Sequence, residues 1–391
     1  MKKIAIFHWG ELTINAYYLA IELKKHNVGV DFFLYSPRKV YRRSFLKNLH
    51  TKLTEEFNTI EVKCSLFDSG LMKLNSISSF FSVQLSSLFV NPLLPIKTRR
   101  RFREGSYNYI ITIGQTSLYW LYKTDASALK RTIHYSLEVQ KVTDPHFINP
   151  AFAAILKWEA KLLQKVKGLI IQDELRAEAL LDCKVNHYSL NFFFIPVSIP
   201  RLTDQKQTDY LNKNLDIPTS RKIILYFGEA YPERYINEIS ETVHKDLNDS
   251  WVLVVHGPNA FPGITKNDSK IRMSTNLLDY DSLHLIISSA TIGLALYDNS
   301  WPNTRYTAFS SEKIARYLQV GVPFIAFRNE SYLKLQNEFN CCFLIDDISD
   351  LTVAVQSIME RYELYKSNCY NAFEKYYDIT KTVMPLVSFL K

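Results

Sequence analysis

One stretch of the second half of the chain combines residues that suit an anionic ligand. Ser310, Ser311 and Lys313 stand at the start of a predicted helix over 311–320. The start of a helix offers free backbone N–H groups and the positive end of the helix dipole. The two serine hydroxyls can cap the helix or donate hydrogen bonds, and Lys313 adds a full positive charge. Each feature alone is common in ordinary helices, but together they indicate a site for phosphate groups.

Two predicted strands of the same half end at glycine, where the backbone can approach a ligand closely. The strand 222–227 runs into Gly228, and the strand 251–256 runs into Gly257. Arg234 follows Gly228 by six residues and can supply a second, bidentate charge. Arg316 falls three residues after Lys313, on roughly the same face of the helix. The predicted phosphate site therefore consists of Gly228, Arg234, Gly257, Ser310, Ser311, Lys313 and Arg316.

These cations and N–H groups can stabilise a departing diphosphate electrostatically without a metal ion. No Asp-x-Asp pair stands at a predicted strand end of the second half. We therefore expect neither a metal ion nor another cofactor.

Alternating strands and helices position these residues, and the length of 391 residues favours two domains. Strands separated by helix-length segments predict parallel sheets covered by helices, and the pattern restarts after a polar segment. We expect an α/β fold of two Rossmann-like, doubly wound domains facing a cleft. The predicted boundaries are 1–199 for the first domain, 200–221 for the linker, 222–370 for the second domain, and 371–391 for a helical tail that crosses back to the first domain.

The first half offers fewer candidates for catalysis. His8, His134 and Glu138 lie at or just beyond the carboxyl ends of predicted strands, where such sheets present functional side chains. We assign His134 and Glu138 as candidate catalytic residues, with Glu138 orienting an acceptor hydroxyl or supporting a cationic transition state. A helix-capping or ion-pairing role for Glu138 and a core role for His134 remain open.

The composition of the chain indicates which kinds of partner to expect. The 47 Lys and Arg against 39 Asp and Glu give a net charge of +8, which favours anionic partners. The basic residues are spread along the chain and no recognition-helix motif is evident, so nucleic acid is not expected. Five cysteines without a Cys-x-x-Cys pair favour a reduced, cytoplasmic protein.

A second basic segment suggests a peripheral membrane contact. Residues 77–96 carry no charge but contain five serines and two prolines, which makes them a poor membrane-spanning helix. Arg99, Arg100, Arg101 and Arg103 follow directly. The two interpretations are a core helix followed by a solvated basic helix start, and an apolar and basic patch on an anionic membrane surface.

The second half resembles the C-terminal domain of GT-B-type glycosyltransferases, especially the retaining family four (glycosyl transferases group 1). The resemblance spans about 150 residues and rests on three stretches: Ile223–Arg234, Ile271–Tyr297 and, most specifically, Ser310–Ala326, which is similar to the family's SxxK…YLxxGxPxIA element. In the first half it is weaker. The chain departs from the family at Glu229, where arginine is frequent, and at Arg316, where a glutamate usually contacts the donor.

The resemblance implies a transferase that moves a sugar from a nucleotide-diphosphate sugar to a glycan or a lipid-linked acceptor. It also implies a retaining, metal-independent reaction in surface polysaccharide biosynthesis. Two alternatives stay open: a GT-B-type nucleotide-sugar epimerase, and a degenerate partner subunit that binds without catalysis. Glu229 and Arg316 favour the degenerate subunit.

Overall fold

The structure is a computed structural model that describes most of the chain. The described residues are 2–9, 13–35, 44–61, 99–102, 104–141, 150–187, 189–204, 206–228, 235–258, 268–276 and 278–391. They form two compact units. Unit 1 comprises Met1–Ile195 together with Thr382–Lys391, and unit 2 comprises Pro196–Lys381.

Unit 1 contains a parallel sheet of seven strands in the order β3-β2-β1-β4-β5-β6-β7. The strands are β1 Lys3–Trp9, β2 Gly29–Tyr35, β3 Asn58–Glu61, β4 Tyr109–Ile113, β5 Thr132–Tyr135, β6 Gly168–Ile171 and β7 Asn191–Phe194. The chain winds outward from β1 in one direction and from β4 in the other. Right-handed crossovers then place the connecting helices on opposite faces, so the sheet is doubly wound.

The unit 1 helices pack their apolar side chains on this sheet. One core cluster gathers Phe7, Phe33, Phe102, Tyr107 and Trp120, and all five are buried. The helices are Ile14–Lys25, Ser44–Glu56, Gln115–Thr124, Pro150–Leu163, Glu174–Leu181 and, from the end of the chain, Met384–Leu390, with 3-10 turns at Ala126–Arg131 and Val185–His187.

Unit 2 repeats the plan with six parallel strands in the order β10-β9-β8-β11-β12-β13. The strands are β8 Lys222–Phe227, β9 Trp251–His256, β10 Ile271–Ser274, β11 Ile292–Ala295, β12 Phe324–Phe327 and β13 Cys342–Ile345. The winding direction reverses between β8 and β11. The prediction of two Rossmann-like, doubly wound sheets is confirmed.

The unit 2 helices follow their strands in regular alternation. They are Tyr210–Asn214, Ile236–Asp246, Leu283–Ile287, Pro302–Arg305, Glu312–Gln319, Glu330–Phe339, Leu351–Glu360, Tyr362–Tyr376 and Ile379–Thr382, with 3-10 turns at Tyr280–Ser282 and Ile348–Asp350. Their apolar faces complete a core around Tyr226, Trp251 and Leu253.

Residues 200–221, which the sequence predicts to be a linker, belong to unit 2. Leu211 is fully buried and Ile217 nearly so. The Thr208 hydroxyl donates to the Leu285 carbonyl at 2.6 Å, and the Gln319 amide donates to the Pro200 carbonyl at 2.6 Å. These apolar and polar contacts hold the segment against the rest of unit 2.

The last ten residues belong to unit 1. The Phe389 ring lies 5.5 Å from the Tyr109 ring and 5.1 Å from the Phe193 ring, measured between centroids. Leu386 and Leu390 are fully buried. Aromatic and aliphatic contacts of this kind hold a terminal helix against a sheet.

Candidate functional site

The carboxyl ends of β8 and β11 mark the point where the winding of unit 2 reverses. In open α/β sheets this point forms a crevice that binds ligands. Gly228 follows β8 directly, and Tyr297 follows β11 by two residues. The helix Glu312–Gln319, which we call the Lys313 helix, begins nearby and contributes Lys313 to the same corner.

Lys313 is the buried cation of this corner. Its Nζ lies 4.2 Å from the centre of the Tyr226 ring and 5.1 Å from the centre of the Tyr297 ring. Only 8% of the residue is exposed. Two aromatic faces stabilise an ammonium group in partial compensation for its lost hydration. The corner therefore holds a positive charge that little water screens.

Gly228 adjoins the same ammonium group. Its φ of 123° lies in a region that favours glycine. A Cβ at this position would stand 3.6 Å from Lys313 Cε and 3.8 Å from Nζ. The absence of a side chain therefore keeps the space beside the lysine open.

The two serines occupy the start of the Lys313 helix, but neither caps it in the predicted way. Ser311 stands at the N-cap position without a side-chain capping bond, because its hydroxyl pairs with the Tyr297 hydroxyl at 2.7 Å. The Ser310 hydroxyl donates to the Tyr306 carbonyl at 3.2 Å. Backbone N–H groups of a first helical turn have no partner inside the helix. Without a capping side chain, this helix start suits an external anion.

Arg316 is buried and pairs with a carboxylate of its own helix. Its Nη2 lies 3.1 Å from Glu312 Oε1, and its guanidinium carbon lies 5.8 Å from the centre of the Tyr280 ring. Glu312 is the first residue of the Lys313 helix, and Arg316 lies one turn further along it. The guanidinium is therefore paired with the Glu312 carboxylate. The contact of Arg316 with a ligand stays a prediction.

Gly257 lies at the end of β9, one strand away from Gly228. Its N–H donates to the Ser274 carbonyl at 3.0 Å, and the Gly228 N–H donates to the His256 carbonyl at 2.9 Å. His256 stacks on Phe227 with the ring planes 4° apart. The structure thus brings Gly228, Ser311 and Lys313 together and places Gly257 beside them along the same sheet edge. Arg234 and Glu229 lie outside the described residues.

His134 is a fully buried residue whose two ring nitrogens are both engaged. Its Nδ1 lies 3.0 Å from the Thr112 hydroxyl and its Nε2 lies 3.1 Å from Glu159 Oε1. Burial raises the pKa of Glu159, and the bond to His134 opposes that rise. This arrangement matches the core role that the sequence left open for His134.

Glu138 is exposed just beyond β5, and a buried arginine supports its segment. Arg176 is 1% exposed and donates to the Leu137 carbonyl at 3.0 Å and to Gln172 Oε1 at 2.7 Å. Gln172 in turn donates to the Ser136 carbonyl at 2.9 Å. Arg176 therefore fixes residues 136–138 at the carboxyl edge of unit 1.

Arg176 is not among the residues that were singled out from the sequence. Asp173 caps the helix Glu174–Leu181 by accepting from the Arg176 N–H at 2.8 Å. The side chain of Arg176 could not be assigned in the same way, because its partners come from separate loops.

Burial lowers the pKa of His8 and of His256 to about 4. Between pH 6.5 and pH 4 the unfolded chain protonates these imidazoles and the native chain does not, so stability falls as the pH falls. Each histidine contributes up to roughly 3 kcal/mol to that loss. We expect His256→Leu to flatten the decline in unfolding free energy between pH 7 and pH 4.5, measured with urea. The exposed His187→Gln serves as control, and an unchanged slope in His256→Leu would contradict the assignment.

Comparison with known proteins identifies the fold. No family model matches the sequence, and no curated protein matches it. Among solved structures, sucrose-phosphate synthase from Thermosynechococcus elongatus aligns with a TM-score of 0.68 at 13% identity, over 100% of this chain and 99% of that chain. HepE from Anabaena, solved in complex with UDP and glucose, aligns with a TM-score of 0.68 at 11% identity, over 100% and 99% of the two chains.

A protein described as a putative UDP-N-acetylglucosamine 2-epimerase, from Listeria monocytogenes, also aligns, with a TM-score of 0.56 at 12% identity, over 99% of this chain and 94% of that chain. At such identities the likeness shows the fold alone. The chain has the two-domain α/β fold of the GT-B type, and the predicted resemblance to GT-B proteins is confirmed at the level of the fold.

Proposed function

We propose that this protein is a glycosyltransferase that takes a sugar from a nucleotide-diphosphate sugar. The observation that carries the proposal is the corner of unit 2 where the buried Lys313 adjoins Gly228 and the start of its own helix. A phosphate group is the ligand that best fits these three features together: a buried cation, an open glycine position and a helix start without a capping side chain.

The chemistry of transfer needs such a corner. The bond between the anomeric carbon and the diphosphate oxygen breaks, and a bond from that carbon to an acceptor hydroxyl oxygen forms. The hydroxyl proton leaves to the diphosphate, on which negative charge has developed. Lys313 and the helix start stabilise that charge, and low exposure strengthens their effect because little water screens it. We expect the reaction to be retaining and metal-independent, as in the family that the sequence resembles.

The acceptor is a glycan or a lipid-linked sugar in surface polysaccharide biosynthesis, and unit 1 binds it. Glu138 is the exposed carboxylate that Arg176 and its neighbours hold at the sheet edge, so we retain it as the candidate that orients the acceptor. His134 is a weaker candidate, since Thr112 and Glu159 occupy both of its nitrogens. Arg316 is kept as a donor contact beside Lys313.

The test is a thermal-shift screen with UDP, GDP, ADP, CMP and dTDP, followed by turnover assays with the sugar donors of the nucleotide that binds. A ligand at 100 times its dissociation constant stabilises the native state by about 2.7 kcal/mol, which a shift assay detects readily. No shift with any nucleotide would overturn the proposal. Binding without turnover supports the degenerate subunit, and a changed sugar without transfer supports the epimerase.

The protein is cytoplasmic in this proposal and touches an anionic membrane through Arg99, Arg100 and Arg101. Their side chains are 50%, 80% and 64% exposed, and Glu104 pairs with the last two. Arg103 and residues 77–96 lie outside the described residues. None of the helices in the described part of the chain has the length and apolar character needed to cross a membrane.

We expect replacement of Arg99, Arg100 and Arg101 by serine to release the protein from vesicles rich in anionic lipid. Each cation near such a surface contributes about 1 kcal/mol, so the partition coefficient should fall more than 50-fold in a flotation assay. The control replaces the exposed Lys206, Lys213 and Lys245 of unit 2. Equal release in both triple variants would point to net charge rather than a defined patch.

A further inference from the structure

His8 occupies the central crossover position of unit 1. It is the penultimate residue of β1, and in the parallel register it pairs with Leu34 of β2 and Ile113 of β4. The winding of the unit 1 sheet reverses between β1 and β4, so His8 lies at the edge where an α/β sheet binds ligands. Phe7 and Trp9 pack in the core on the other face, since side chains alternate along a strand.

The imidazole of His8 is buried, and none of the described residues hydrogen-bonds to it. Only 3% of the residue is exposed, and neither ring nitrogen is bonded within the part of the chain that the structure describes. Buried polar groups in native proteins are almost always paired, and one that is not calls for an explanation such as a functional role or a bound molecule. His134 shows the usual pattern, with Thr112 on one nitrogen and Glu159 on the other.

We propose that His8 binds a hydroxyl group of the sugar acceptor at the carboxyl edge of the unit 1 sheet. This inference rests on the proposed function and deepens it by naming the group that meets the acceptor. In the proposed function the unit 2 site binds the donor phosphates. His8 lies at the corresponding edge of the unit 1 sheet, so we assign it to the second substrate.

The protonation state of His8 defines the chemistry of its ligand. Burial lowers its pKa to about 4, so the ring is neutral at physiological pH. A neutral imidazole offers one N–H donor and one nitrogen acceptor. A sugar hydroxyl, which both donates and accepts, matches either nitrogen. A phosphate carries mainly acceptor oxygens near neutral pH, and its negative charge would favour a charged ring, so it is the poorer match.

The first test compares His8→Leu with the matched variant His134→Leu. Removing an unsatisfied polar group from a buried site should leave the protein equally stable or raise its unfolding temperature by a few degrees. His134→Leu strips Glu159 of its partner and should lower the unfolding temperature by several degrees. Comparable destabilisation in both variants would show that His8 is already satisfied, and it would overturn the proposal.

The second test uses the wild-type protein and does not depend on the folding of His8→Leu. Histidine labelled with 13C at Cε1 gives one resonance per ring. A pH titration identifies the two rings that stay neutral down to about pH 4, His8 and His256, and the His256→Leu spectrum distinguishes them. With saturating UDP present, we titrate glucose, galactose and N-acetylglucosamine, and separately inorganic phosphate. The proposal predicts that at least one sugar moves the His8 resonance, that phosphate does not, and that His134 stays in place.

Failure of this inference is distinguishable from failure of the proposed function. UDP binding is measured first by calorimetry, and its absence counts against the donor site. If UDP binds and none of the three sugars moves the His8 resonance, the hydroxyl assignment is overturned while the donor site stands. A shift caused by phosphate alone would likewise overturn it.

Discussion

Replacing Lys313 by methionine should weaken the binding of UDP about 100-fold and leave uridine binding nearly unchanged. Methionine keeps most of the length of the stem but removes the charge that lies over the Tyr226 ring. A charge-assisted hydrogen bond to a phosphate contributes roughly 1.5–3 kcal/mol, and about 2.7 kcal/mol corresponds to 100-fold. Isothermal calorimetry with the two ligands measures the difference directly.

Lys334→Met is the matched control for this experiment. Lys334 also belongs to unit 2 and also lies over aromatic rings, 5.3 Å from the centre of Phe309 and 5.7 Å from that of Tyr376. It is exposed and lies on the helix Glu330–Phe339. We expect its loss to leave both affinities within twofold. Equal losses for UDP and uridine in Lys313→Met would place Lys313 away from the phosphates.

Replacing Arg176 by methionine should destabilise the protein by roughly 3 kcal/mol and loosen residues 136–138. The guanidinium is buried and donates to Gln172 and to the Leu137 carbonyl, and both acceptors would lose this donor. Urea unfolding measures the stability. Hydrogen exchange of the segment 136–138 measures the local effect, which should exceed that of β6 next to it.

Arg100→Met is the control for Arg176→Met. Arg100 belongs to unit 1 but is exposed and pairs with Glu104, four residues further along the chain. Such pairs contribute a few tenths of a kcal/mol, so this variant should unfold like the parent protein. A small effect of Arg176→Met would mean that the backbone, and not the arginine, holds Glu138 in place.

The sheets were predictable because their signals are local. The strands Tyr109–Ile113, Lys222–Phe227 and Trp251–His256 have the predicted bounds, since each is a short apolar run that ends at a glycine. The placement of Lys313 near Gly228 followed from the order of elements, because parallel strands bring their carboxyl ends to one edge.

The partners of the site residues were not predictable in this way. Tyr226 lies in β8 and Tyr297 follows β11, and both flank Lys313. The Ser311 hydroxyl bonds to Tyr297 instead of capping its helix. Leu211 is buried although it belongs to a polar segment, so its burial could not be predicted from the residues around it. These contacts join residues that are far apart in the sequence, and each side chain has several possible partners. The local sequence therefore does not predict which partner it takes.

The central claim is that Lys313 and the start of its helix bind the phosphates of a nucleotide-diphosphate sugar. A crystal structure of the protein with UDP tests it most directly. The claim predicts a phosphate oxygen about 2.7–2.9 Å from Lys313 Nζ, the usual length of a charged N–H···O bond, with the phosphate at the first turn of the Lys313 helix and beside Gly228. UDP bound with its phosphates at any other part of the chain would contradict it.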